Sequence, residues 1–190
     1  MLKRGTICIV LLVLCSLTTA QNWNSYEGPW CAKDLIDVAV GVHNGDVVIY
    51  AVNNDYSLAK STNEGQSWTI PLAGVNIRCV TCDPNDADIV YIGRPSADGG
   101  IRYSPDGGDS WVPRSNNLPP PFTPTSIAMR DQNHIVLGLE PQSATEHSVY
   151  YWDINQWEPA VFPTPEYKGF RVTDLKWDSR PGYGPNGVGA

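Results

Sequence analysis

The chain has 190 residues, a formal charge of -7 and 42% hydrophobic residues, enough for one ordinary domain. No basic cluster follows residue 20 and no apolar run reaches membrane-spanning length, so nucleic acid and a membrane span are not expected. Short β-branched and aromatic runs between polar turns, without helical periodicity after residue 20, predict an all-β chain.

The N-terminus carries Lys3 and Arg4, an apolar stretch over 7–17 and the small-residue ending Thr18-Thr19-Ala20. That three-part pattern reads as a secretory signal peptide over 1–20, so the chain is expected to be exported, to a periplasmic or extracellular location, and to start at Gln21. Loss of this segment would move the formal charge from -7 to -9 and remove Cys8 and Cys15, leaving Cys31, Cys79 and Cys82. Residues three apart on a strand point to opposite faces, so Cys79 and Cys82 should not pair with each other. A bridge from Cys31 to one of them is the expected pairing. Residues 21–34 form a lead-in.

A repeat then organises the chain. Ser61-Thr62-Asn63-Glu64-Gly65-Gln66-Ser67-Trp68 aligns with Ser104-Pro105-Asp106-Gly107-Gly108-Asp109-Ser110-Trp111, 43 residues later. The upstream runs 47–51 and 58–60 match 90–94 and 101–103 at the same spacing. A worn third copy follows at 126–129, 134–138 and 148–152 and ends at Trp157, without the Ser, Asp and Gly of its hairpin. A fourth opens at 172–178, and a Gly-rich end covers 181–190. A period in the low forties with four strands per copy predicts a partial β-propeller of three to four four-stranded blades, at about 35–70, 77–113 and 126–160 with another starting at 172. A closed ring needs more blades than this, so the chain is expected to be the N-terminal part of a longer propeller or a truncated product.

The pattern Ser-x-Asp/Asn-x-Gly-x-Ser-Trp resembles the Asp-box, or BNR repeat, of sialidases, sortilin-type receptors, xyloglucanase-type glycosidases and a photosystem II assembly factor. The resemblance implies a structural motif that closes the turn between the third and fourth strands of a blade, opposite the ligand face. It therefore assigns Ser61, Asn63, Gly65, Trp68, Ser104, Asp106, Gly108 and Trp111 to the scaffold. The chemistry agrees: Asn63 or Asp106 can accept from turn N–H groups, Gly65 or Gly108 supplies a positive φ, and Trp68 and Trp111 have large faces to bury between blades.

The opposite face would be built from the loops 53–56, 95–99 and 140–147 and the connections 71–76 and 116–125. Asn54, Asp55, Asp98, Glu140 and His147 are the candidate ligand-binding residues. Asp55 and Asp98 stand 43 apart in equivalent loops, and a carboxylate pair is what glycoside hydrolysis requires. The plainer reading makes both of them ordinary turn residues. A sialidase would need three arginines and a Tyr–Glu pair, for which the inner strands offer no match. His43, His134 and His147 show no ligand spacing, and neither a metal nor another cofactor is expected. The sequence thus predicts a non-catalytic exported module binding protein or glycan, with a fragment of a xyloglucanase- or sialidase-like glycoside hydrolase as the alternative. The acidic surface favours a cationic or neutral, hydroxyl-rich partner.

Overall fold

A computed structural model describes residues 34–143, 146–161 and 169–177. The expected signal segment, Cys31 and the Gly-rich end lie outside them. Twelve strands form three four-stranded antiparallel sheets, ordered β1-β2-β3-β4, β5-β6-β7-β8 and β12-β11-β10-β9. The first contains β1 (Leu35–His43), β2 (Asp46–Asn53), β3 (Ser57–Ser61) and β4 (Thr69–Leu72). The second contains β5 (Cys79–Cys82), β6 (Val90–Gly93), β7 (Arg102–Ser104) and β8 (Val112–Pro113). The third contains β9 (Pro124–Asp131), β10 (His134–Leu139), β11 (Val149–Asp153) and β12 (Gln156–Pro159). A short 3-10 turn at Ser96–Asp98 interrupts the β6–β7 loop.

Each sheet connects only sequential neighbours, and β5 packs against β1 on one side and β9 on the other. The first strand of each sheet is therefore innermost. Alternation places the middle sheet's side chains in two separate cores. Val80, Cys82, Val90 and Ile92 join Val48, Tyr50, Val52 and Leu58 of the first sheet. Cys79 and Tyr91 join Ile127, Leu137, Trp152 and Trp157 of the third. β5 and β6 are buried along their whole length, Thr81 included, because both faces of the middle sheet are covered, whereas burial alternates along the middle of β1.

Cys79 and Cys82 face opposite cores, and both thiols are free and buried; Cys31, their expected partner, lies outside the described residues. A side chain on Gly93 would collide with Cys79 Sγ and lie 2.8 Å from Pro124 Cβ, so the Cys79 sulfur fills the seam between sheets. Burial pushes the Cys79 thiol far above its ordinary value and the Cys82 thiol up to about 12.

Two contacts across the first seam join positions 43 apart. Asp37 Oδ2 accepts from Val80 N–H at 2.9 Å, and His43 Nδ1 lies 3.2 Å from Asp86 Oδ1. Across the second seam, Trp157 Nε1 donates to the Arg114 carbonyl at 2.6 Å, again 43 apart. The outer face of β1 is different, for Ile36, Val38, Val40 and Val42 are all exposed there.

Candidate functional site

The strand register sorts the loops onto two ends. Leu35 pairs with Asn53, so the 54–56 loop sits beside the start of the inner strand. Cys79 pairs with Gly93 and Pro124 with Leu139, which places the 95–101 loop and the loop beginning at Glu140 at the same end. His43 pairs with Asp46 and Ile49 with Ser61, so the eight-residue hairpins occupy the other end.

At the hairpin end the two copies share one bonding scheme. Ser61 Oγ accepts from Gly65 N–H at 2.9 Å and donates to Asn63 Oδ1 at 3.1 Å. Ser104 Oγ accepts from Gly108 N–H at 2.8 Å and donates to Asp106 Oδ1 at 2.8 Å. Asn63 and Asp106 then accept from the backbone N–H of Ser67 and Ser110. Gly65 and Gly108 take φ values of 84° and 102°, in the left-handed region that a Cβ resists. The Ser110 hydroxyl and N–H, with the Ser104 hydroxyl, hold the Asp106 carboxyl down at about 2. These groups stabilise a turn.

The hairpin tryptophans differ in burial from that of the worn copy. Trp68 and Trp111 are only half-buried, each donating its indole N–H to the carbonyl of its own hairpin glycine at 3.0 Å. The fully buried one is Trp157 of the worn copy, stacked edge-to-face on Trp152. Its hairpin is a tight turn through Ile154 at φ 53°, which lets the indole turn inward to the neighbouring sheet instead of back onto its own turn.

The same end also holds a group that the sequence reading missed. His43, Asp86 and Asp88 bring three ligand atoms within 4.8 Å of one another, a set that could hold a metal ion. His43 Nδ1 lies 3.2 and 3.3 Å from the two carboxylates, while Lys60 Nζ stands 3.6 Å from Asp88 and donates to the Gly107 carbonyl at 3.1 Å. The His43 ring and the Lys60 ammonium thus already meet these carboxylates. The repeat carried the signal, because adding the period to His43 lands on Asp86.

At the loop end, Asn54, Asp55, Asp98 and Glu140 are exposed, whereas His147 is half-buried. Asn54 Nδ2 donates to Asp34 Oδ2 at 3.2 Å, and Asp98 Oδ2 accepts from Asn76 Nδ2 at 2.8 Å. Glu140 stands 4.0 Å from Arg171, and His147 Nδ1 lies 3.3 Å from the Ala160 carbonyl, which ties it to its own sheet. Asp55 N–H donates to Asn53 Oδ1 at 3.1 Å, closing the turn. Between the inner strands runs a cleft of about 470 Å³ lined by β1, β5, β9 and residues 174–177. Residues 169–177 form no strand but contact the third sheet, with Leu175 N–H donating to Ser126 Oγ at 3.0 Å. Asp37 faces this cleft, and burial raises its carboxyl pKa against the lowering effect of the Val80 and Val38 N–H groups.

No protein-family model and no curated protein sequence matches the chain. Solved structures do. The GH74 xyloglucanase from Xanthomonas campestris superposes with a TM-score of 0.51 at 21% identity, over 64% of this chain and 21% of its own. The GH74 enzyme of Niastella koreensis gives 0.53 at 15% identity, over 74% of this chain and 24% of its own. The fold is a β-propeller. YCF48 from Cyanidioschyzon merolae is also similar, with a TM-score of 0.47 at 12% identity over 75% of this chain and 59% of its own. The propeller described here spans about a fifth to a quarter of the length of the two GH74 proteins. Among the described residues of the propeller, no helix is long and apolar enough to cross a membrane.

Proposed function

We propose that this propeller is an exported, non-catalytic module that binds protein or glycan through its loop end. The observation that supports the reading is the division between its two ends. At one, the hairpin residues spend their polar groups on their own turns and on the adjacent sheet. At the other, equivalent loops of successive sheets present exposed Asn54, Asp55, Asp98 and Glu140. Rigid sheets carrying exposed polar loops are a usual platform for recognition.

The alternative is a piece of a glycoside hydrolase, and the observation in its favour is the equivalent placement of Asp55 and Asp98, one in each of two successive loops. A glycan array and a protein-capture assay on the full chain, compared with the Asp55→Ala/Asp98→Ala double variant, separate the two. The binding-module reading expects capture that weakens in a correctly folded double variant, with no release of reducing sugar. Polysaccharide cleavage that the double variant loses would establish the hydrolase instead.

A further inference from the structure

Two arginines at the loop end of the second sheet take no part in the reading above. Arg94 follows β6 and Arg102 opens β7, and the loop between them folds both guanidinium groups over Gly99. A Cβ on Gly99 would lie 3.0 Å from one Arg102 nitrogen and 3.2 Å from one Arg94 nitrogen, so the two cations converge on a single point. Arg102 Nε donates to the Gly99 carbonyl at 3.2 Å. Arg94 makes no hydrogen bond or ion pair among the described residues, and its Nε is buried without a partner. Burial first, and then the Arg102 charge, lower the Arg94 guanidinium pKa, while Asp98 works in the opposite sense. Asp98 is itself engaged by Asn76.

A half-desolvated guanidinium beside a like charge is a costly arrangement that an anion relieves. We propose that the Arg94–Arg102 recess captures a single carboxylate from an acidic side chain of a partner protein. This rests on the loop end being the binding surface and names the chemistry recognised there. A guanidinium fork matches a planar carboxylate and donates two parallel hydrogen bonds to it. The formal charge of -7 repels a polyanion, so one carboxylate in an otherwise neutral or basic peptide fits better than a chain of uronic acids. The overall acidity that favours a cationic or neutral partner is thus reversed at this one place.

The test is an NMR titration of the full chain with an N-acetylated, C-amidated Gly-Gly-Glu-Gly-Gly peptide, its Gln counterpart and glucuronic acid, following the side-chain Nε–Hε signals of Arg94 and Arg102. The Glu peptide should shift both signals, and the Gln peptide should bind about tenfold more weakly or less, as expected for losing charge-assisted hydrogen bonds. Arg94→Gln should weaken the Glu peptide by about the same factor at unchanged melting temperature, and Arg94→Lys should restore only part of it, having no fork. Equal binding of the Glu and Gln peptides, or full binding by both folded variants, would overturn the site. Shifts caused by glucuronic acid but not by the Glu peptide would overturn the protein source. The two readings also fail separately. Partner capture that survives Arg94→Gln removes this site alone, whereas carboxylate binding by a chain that captures nothing removes the module reading alone.

Discussion

Replacing Trp157 with alanine should destabilise the protein more than the same change at either of the better-preserved hairpins. Trp157 is fully buried, its ring centroid stands 5.3 Å from that of Trp152, and its indole N–H satisfies the Arg114 carbonyl. Emptying such a site costs about 3–5 kcal/mol, a total that includes an aromatic pair worth ~0.5–1.5 kcal/mol. For a chain of this size each kcal/mol moves the melting temperature by about 2–4 °C, so a fall of roughly 6–20 °C is expected. Trp111 is half-buried against the first core and its indole bond stays within its own turn, so Trp111→Ala loses about half the transfer term, ~1–2 kcal/mol. Urea and thermal melts followed by far-ultraviolet circular dichroism measure both, free of the tryptophan fluorescence that the substitutions alter. A Trp111→Ala cost equal to or above that of Trp157→Ala would refute the argument from burial.

Two further expectations follow from titrating groups. The Asp106 carboxyl is ionised in the folded state down to about 2 against 3.8 unperturbed, so its turn bonds stabilise fully above about pH 4 and are lost as pH falls through 2. Asp106→Asn keeps the Oδ1 acceptor, as Asn63 does in the first copy, and should make stability fall less steeply over that window in acid-dependent melts; equal slopes would count against it. Asp131 leaves a residual slope there, since burial raises its carboxyl but bonds from His134, Arg130 and the Asn133 N–H bring it down to about 2. At pH 8 the buried Cys79 and Cys82 remain protonated and shielded, so mass spectrometry after iodoacetamide should find both unmodified in the native chain and both alkylated in urea. Prompt labelling of either under native conditions would contradict their placement.

The parts of the molecule legible from sequence were those written in local chemistry. Ser61 to Trp68 and Ser104 to Trp111 announce their turns because each hydroxyl, carboxamide or carboxylate bonds a backbone group two to four residues away. What depends on the third dimension was not legible. The full burial of Trp157 was not legible, since its turn contains none of the motif and its surroundings are Arg114 and Trp152, distant or unmarked in the repeat. That Cys79 and Cys82 face different cores was legible from their spacing, but the burial of both thiols in the seams was not. Arg94 and Arg102 lie eight apart with a loop between them, and only the fold of that loop over Gly99 brings the two scattered guanidinium groups together.

The contacts between Asp37 and Val80, His43 and Asp86, and Arg114 and Trp157 all span one repeat length. These seam neighbours stand one repeat length apart, while others do not, such as Tyr50, whose hydroxyl donates to the Ala87 carbonyl, and Lys60, whose Nζ donates to the Gly107 carbonyl. Duplication of such a unit supplies a sheet together with the interface that sheet needs, so blades can be gained without inventing a new contact. The cost falls on small insertions. One extra residue inside a strand shifts every later position out of phase with its counterpart, and both adjoining seams lose their matching at once. Length variation is tolerated only where no counterpart is touched, at the loop tips, and these are the same loops that carry Asp55, Asp98 and the arginine recess.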